Sequence, residues 1–381
     1  MFSRFLVFLV LISCLSGCFF GTEHKNIADD GGKLIQPIEA TGFELRQYAD
    51  YQKLTVINPW QKSSNTQFDY FLLEKGKEIP QVLKGKQLFF TPVKNVICLS
   101  TTHIGFLDAL GEIKSVTGIS GGGYLTNQEI RNGLEKNIVH EIGYDRGLNY
   151  EMIVQLKPDL VFAFGVGSEI SAQVNKLKDI GIPVVLVGEY LEESPLGKAE
   201  WIKFFGSFYQ KEKDAENIWN KIKMNYDAVR IQAAQTREKP SVLTGLPFKD
   251  TWWIAGGHSS LAVLIRDAGG KFLWEENPSK EAFPVSLEEV FVRATKADYW
   301  INCGSANSME ELKAFDPRFS DLPAVKTMQV YNNNLRSTTG GGNDYWESGV
   351  VHPDLILLDL LKIFHPELAG KNAFSYYQKL R

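Results

Sequence analysis

Between Asn95 and Gly188, short apolar runs alternate with amphipathic segments, and this limits the fold more than any other feature of the 381-residue chain. NVICLS (95–100), SVTGIS (115–120), DLVFAFG (159–165) and IPVVLVG (182–188) are near-continuous in apolar residues, whereas a strand wet on one face would alternate. Helical patterns separate them: THIGFLDALG, LNYEMIVQLKP and SEISAQVNKLKDIG. Strands of this kind belong to a parallel sheet covered by helices on both faces. A second set follows residue 238: SVLTGLPF, WWIAGG, helices SSLAVLIRDAGG and SLEEVFVRATK, strands ADYWINCG and VKTMQVYNN, and a closing helix HPDLILLDLLKIF. From Ser194 to about Thr236 the pattern is helical, interrupted near Gln210-Lys211, with Ile218, Ile222, Tyr226, Val229 and Ala233 at steps of three and four. The reading is α/β: an N-lobe over 92–190 and a C-lobe over 238–381, joined by a long rigid connecting helix over 191–237. Upstream, KLTVINPW, FDYFLLEKG and KQLFFTPV predict a small antiparallel N-terminal β extension over 41–91.

The first residues bear on compartment. Arg4 precedes an apolar run from Phe5 to Ile12, too short to span a bilayer, and small residues follow it. Residues 1–17 read as a secretory signal, and Leu15-Ser16-Gly17-Cys18 resembles the lipobox of bacterial lipoproteins. That resemblance implies cleavage before Cys18, lipid on Cys18 and a periplasmic or extracytoplasmic protein anchored to a membrane. Residues 18–40 are polar and turn-rich, as a tether would be. Cys98 and Cys303 lie in apolar strand-like runs and read as buried thiols. A net charge of −4 offers no basic field for nucleic acid, and a monomer is expected.

A weak internal repeat links the lobes. LNYEMIVQLKPDLVFAFG (148–165) and VSLEEVFVRATKADYWINCG (285–304) each carry a polar cap, a first-turn Glu, an apolar helix, an Asp before a strand and a terminal Gly. With WWIAGG–helix–AGG and NDYWESG…HPDLI in matching order, residues 92–366 resemble the class III periplasmic binding proteins of ABC importers. Those proteins bind iron–siderophores, haem and cobalamin. The resemblance implies two Rossmann-like lobes with parallel sheets on a helical connector, and a solute-binding protein rather than an enzyme, with no cofactor. It also implies a metal-chelate ligand, with ferric siderophore ahead of cobalamin or haem, and an ABC permease dimer with its ATPase as partner. Glu151 and Glu288 match the paired acidic residues that dock onto permease arginines. Read locally, a Glu in a first helical turn complements the helix dipole.

The cleft of such a protein is lined by loops at strand ends. These carry Tyr124, Tyr144, Arg146 and Phe164 in the N-lobe, and Trp252, Trp253, Phe283, Arg336, Asp344, Tyr345 and Trp346 in the C-lobe. Asp344 and the aromatics beside it match a position where cobalamin-binding relatives place an acid and an aromatic, whereas Arg146 and Arg336 suit an anionic chelate. Of Trp252 and Trp253, one is expected buried and the other facing ligand. Gly118-Ile119-Ser120-Gly121-Gly122 fits the G-x-S-x-G pattern of a hydrolase elbow, which would make Ser120 a nucleophile, with Asp344 and His352 the only tempting partners. An elbow needs a helix directly behind the serine, and GGGYL reads as a loop. The glycines then serve tight turns or close approach of backbone to ligand. A non-transport adhesion or structural lipoprotein is the other alternative. The six histidines show no i,i+4 pair and no Cys partner, so side chains supply no metal site.

Overall fold

The computed structural model describes residues 31–144, 147–249, 251–368, 370 and 373–381. Cys18, the signal sequence, the first part of the tether and Arg146 lie outside the described residues.

The extension is a sheet of β1 (Lys33–Ile35), β2 (Phe43–Gln47), β3 (Tyr51–Ile57), β4 (Gln67–Glu74) and β5 (Leu88–Thr91) in that order. The first four run antiparallel, but β5 pairs parallel to β4, so the sheet is mixed rather than antiparallel throughout. It also begins earlier than expected, within the segment read as tether. Three exposed residues carry no pattern of their own, and only pairing with β2 makes β1 a strand.

The N-lobe follows with β6 (Val96–Cys98), α1 (Thr101–Ala109), β7 (Val116–Ile119), α2 (Gln128–Glu135), β8 (His140–Glu141), α3 (Tyr150–Leu156), β9 (Leu160–Ala163), α4 (Ile170–Asp179) and β10 (Val184–Leu186). Its sheet has the order β10-β9-β6-β7-β8 and every pairing is parallel. Strand order therefore reverses between β6 and β9, the place where open α/β sheets hold ligands beyond the strands' carboxyl ends.

The connecting segment is not one helix. It is α5 (Pro195–Phe208) and α6 (Glu212–Ala233), broken where Gln210 takes a left-handed φ of 57°. Only α6 has the wet face of a surface helix. α5 is buried along almost its whole length: Trp201, Ile202, Phe204, Phe205 and Phe208 have no solvent exposure. Phe43 of the extension meets Trp201 and Phe204 at ring distances of 5.0 and 5.7 Å. From the N-lobe, Phe106 stacks on Phe205 at 4.7 Å and Phe162 lies 5.4 Å from Phe208. One hydrophobic core thus runs from the extension through α5 into both lobes.

The C-lobe comprises β11 (Ser241–Thr244), β12 (Thr251–Ile254), α7 (Ser260–Asp267), β13 (Lys271–Phe272), β14 (Phe283–Ser286), α8 (Leu287–Ala294), β15 (Tyr299–Ile301), α9 (Met309–Phe315), α10 (Pro323–Lys326), β16 (Val330–Asn332), α11 (Asp344–Glu347), α12 (Pro353–Phe364) and β17 (Gln378–Lys379). Its sheet, β13-β11-β15-β16-β17, is parallel except for the last strand, and β12 pairs with β14 in a separate antiparallel ribbon.

Two buried carboxylates fasten the extension to α5. Glu200 accepts the backbone N–H groups of Ile38, Glu39 and Ala40 at 2.7–2.9 Å. Glu192 accepts those of Thr41 and Gly42 and the indole N–H of Trp201. Removing such an acceptor leaves several buried donors unpaired, each costing roughly 1–3 kcal/mol. Glu200→Ala is therefore expected to cost about 3 kcal/mol or more in urea unfolding and to open residues 33–42 to proteolysis. An unchanged midpoint would show that the staple is dispensable.

His103, on α1, is wholly buried among Phe162, Phe164 and Phe205, and neither ring nitrogen has a hydrogen-bond partner. Burial pushes its pKa down to about 3 from 6.5. The folded state thus prefers neutral imidazole, a stabilisation complete above pH 6.5 and lost as pH falls toward 3. The unfolding free energy of the native protein, from urea titration, should fall more steeply between pH 6.5 and 4 than that of His103→Leu, by a few kcal/mol at about pH 4. Parallel declines would refute this.

Candidate ligand-binding cleft

At the switch point of the N-lobe sheet, a cavity of about 160 Å³ opens between the lobes. Thr102 follows β6, and Glu189 and Tyr190 follow β10, so strand ends supply its N-lobe wall. Pro195 and Lys198 of α5 contribute its base, and Leu264, Tyr345, Trp346 and Ile356 its C-lobe wall. Glu189 is 2% exposed. One of its oxygens accepts the Thr102 hydroxyl at 2.6 Å, and the other has no hydrogen-bond partner. Burial raises its pKa, opposed by the Thr102 hydrogen bond, by the nearby backbone N–H groups of Glu189 and Tyr190 and by the charge of Lys198. Burial lowers the Lys198 pKa, opposed by the carboxylates of Glu189 and Glu192.

Beside the cavity the lobes are latched. Glu347, at the end of α11, accepts the backbone N–H groups of Thr126 and Asn127 at 2.8 and 2.7 Å. Asn127 is the N-cap of α2, so a C-lobe carboxylate satisfies donors at the start of an N-lobe helix. Asp344 accepts the Thr126 hydroxyl at 3.1 Å and pairs with Arg336 at 2.9 Å. A Cβ on Gly105 would collide with the Glu347 carbonyl, and one on Gly342 would lie 2.5 Å from the Tyr124 carbonyl. At Gly105 and Gly342 the lobes thus meet backbone to backbone, whereas Gly121 and Gly122, expected to meet ligand or to turn tightly, are approached by Tyr144 and Glu141 of their own lobe.

The residues expected in the cleft divide accordingly. Tyr345 and Trp346 line the cavity, Trp346 59% exposed and Tyr345 largely buried against Tyr376 and Tyr377. Tyr124 and Tyr144 are exposed with their rings 5.6 Å apart, and Phe164 and Trp253 also present accessible surface. Trp252 does not: it is fully buried, donates its indole N–H to the Thr244 carbonyl and packs on Trp300. Alternation along β12 puts adjacent tryptophans on opposite faces, so only Trp253 is available. Phe283 is half-buried opposite Ile254 in the ribbon. Arg336 belongs to the latch, its charge met by Asp344. Glu189, Thr102 and Lys198 escaped sequence reasoning, although Glu189 directly follows IPVVLVG, at a strand end of the kind searched for aromatics.

Glu151 and Glu288 sit exposed in the first turns of α3 and α8. Asn149 and Ser286 cap those helices, accepting from Met152 and Glu289. Glu289 leans toward Arg293, 3.6 Å away. Ser120 is buried and leads into a short 3-10 turn, Gly122–Tyr124, instead of the helix a nucleophile elbow requires. His352 faces Asp354 at 3.9 Å. Among the described residues, no group of three or more His, Cys, Asp or Glu side chains is placed to hold a metal ion, and no helix is long and apolar enough to cross a membrane.

The latch yields a test. In Glu347→Gln one acceptor oxygen becomes an amide donor facing an N–H, so Thr126 and Asn127 lose half their partnership. Amide exchange at these two residues should accelerate by roughly tenfold, the equivalent of about 1.4 kcal/mol. Undiminished protection would mean that other contacts hold the lobes together.

Comparison with known proteins agrees with this geometry. The family model for periplasmic binding proteins matches residues 96–333. An uncharacterized lipoprotein of Methanocaldococcus jannaschii is 25% identical over 353 residues, covering 89% of this chain and 79% of the relative. A possible iron-binding, periplasmic solute-binding protein from Staphylococcus epidermidis shares the fold with a TM-score of 0.57 at 21% identity, over 72% of this chain and all of that one. A periplasmic heme binding protein from Pseudomonas aeruginosa does so with a TM-score of 0.58 at 14% identity, over 76% of this chain and 98% of that one. The hydrolase alternative at Ser120 falls with this match, and the chain belongs to the periplasmic binding protein family, whose members are solute-binding proteins and not enzymes.

Proposed function

We propose that this solute-binding protein captures a metal chelate between its lobes and delivers it to an ABC permease dimer powered by its ATPase. The cavity at the switch point carries the reading: it joins an exposed Trp346 to a polar floor of Thr102, Glu189 and Lys198. Flat aromatic surface suits the broad apolar faces of such ligands, while the floor offers groups for their polar fringe. Iron- and haem-binding proteins share the fold, which supports the ligand class. Ferric siderophore is the first expectation, with cobalamin and haem next. About 160 Å³ is below the roughly 300 Å³ at which pockets begin to hold drug-sized ligands, so the lobes part to admit the chelate. With α5 packed into both lobes, that movement is small.

Lipid on Cys18 would hold the protein at a membrane in an extracytoplasmic compartment, in keeping with the relative named a lipoprotein. Glu151 and Glu288, one per lobe on helix starts, are proposed as the carboxylates that meet permease arginines, with the protein acting as a monomer.

Two measurements test this reading. Titration of tryptophan fluorescence with ferric siderophores, cobalamins and haem should reveal at least one ligand with Kd below about 10 μM, roughly −7 kcal/mol, and Trp346→Ala should weaken it. Binding of none would defeat the chelate reading. Charge reversal at Glu151 and Glu288 should reduce uptake in cells by about tenfold or more while leaving ligand affinity as it was. Loss of ligand affinity instead would assign these residues elsewhere.

A further inference from the structure

Among the described residues, the deeply buried carboxylates are, with few exceptions, saturated. Glu192 and Glu200 take backbone donors of the extension on both oxygens. Glu347 takes Thr126 and Asn127, and Asp359 takes the N–H groups of Ser375, Tyr376 and Tyr377. Asp354 leaves one oxygen without a hydrogen bond, yet the His352 ring stands 3.9 Å from it. Glu189 differs from all of these. Thr102 fixes one oxygen, the other has no donor, and the residue lines the interlobe cavity. A buried acceptor without a partner is costly and points to a role outside folding.

The surroundings define what would satisfy it. Tyr190 is not available, since its hydroxyl donates to the Gly165 carbonyl at 2.8 Å. Lys198 also lines the cavity, within the electrostatic reach of both Glu189 and Glu192. Glu169 and Glu281 add to Glu189 in the negative field at Tyr190. Arg336 is paired with Asp344. A ligand carboxylate entering here would meet net negative charge, whereas an N–H donor would complete an existing acceptor.

We propose that Glu189 is the specificity-determining contact of the cleft, accepting a hydrogen bond from a carboxamide N–H or an ammonium on the fringe of the captured chelate. The site thereby selects neutral or cationic chelates over carboxylate-fringed ones. This rests on the chelate reading above and narrows it. Thr102 acts as a positioning residue, holding the carboxylate through its hydroxyl.

The test titrates the full chain with three probes: cyanocobalamin, fringed with carboxamides; ferrioxamine B, carrying one ammonium; and haem, carrying two carboxylates. A donor-bearing probe should bind, and Glu189→Ala should weaken it by about tenfold or more. Glu189→Gln, nearly isosteric, separates the two donors. It retains an acceptor oxygen and should change cyanocobalamin by no more than about threefold, but removes the charge and should cost ferrioxamine B about tenfold. Thr102→Val should weaken the same probe several-fold, so the proposal stays testable if Glu189→Ala does not fold. Native affinity for that probe in Glu189→Ala or, should that variant not fold, in Thr102→Val, together with weakened binding in Trp346→Ala, would overturn the role of Glu189 and leave the chelate reading intact. Binding of haem alone would do the same. Binding of no probe would remove both.

Discussion

A helix without a wet face holds this protein together. α5 is buried along its length except at Lys198 and Lys203, and such a helix can exist only if other elements cover it on nearly every side. The extension covers it through Phe43 and Phe89, the N-lobe through Phe106 and Phe162, and α6 through Trp219, whose indole donates to the Leu196 carbonyl. The N-lobe and the extension each keep a smaller buried cluster of their own, but the main core is continuous through α5. The consequence is mechanical. Parting the lobes widely would break the apolar core they share, at roughly 25 cal/mol per Å² exposed, which opposes a wide swing.

Buried carboxylates do the complementary polar work. Where a backbone segment crosses the core without sheet partners, its N–H groups must still be satisfied. Glu200 and Glu192 solve this for residues 38–42, and Asp359 for residues 375–377. Glu347 solves it across the cleft, joining residues more than 200 positions apart. Each contact ties one element to another by charge-assisted hydrogen bonds. Against this economy Glu189 is conspicuous because one oxygen is left over at the place where the lobes face each other.

Some of the cleft was legible in the sequence, and the failures have physical causes. The caps Asn149 and Ser286 were readable because capping is local, as were Glu151 and Glu288 in exposed first turns. Trp252 and Trp253 could be divided into one buried and one exposed by strand parity, but which was which depended on the register of β12 with β14. The glycines of 121–123 suggested a tight turn or close backbone approach without naming a partner, and what comes close to the Gly123 carbonyl is Gly340 of the opposite lobe. Arg336 read as a free cation until Asp344 was found beside it.

The main alternation of strands and helices in both lobes and the family resemblance were legible in the sequence, because apolar periodicity, capping residues and turn signals act over a few neighbours in the chain; α2, β8 and the antiparallel β12–β14 ribbon were not. The sequence also marked a helical link with a break near Gln210. Only the tertiary structure decided that the first half of that link is core, that β1 joins the extension, that the lobes are latched by Glu347, and that Glu189 lacks a partner. Those outcomes depend on contacts between residues far apart in the chain, and a carboxylate's partners are set by what folds against it and not by its neighbours in sequence.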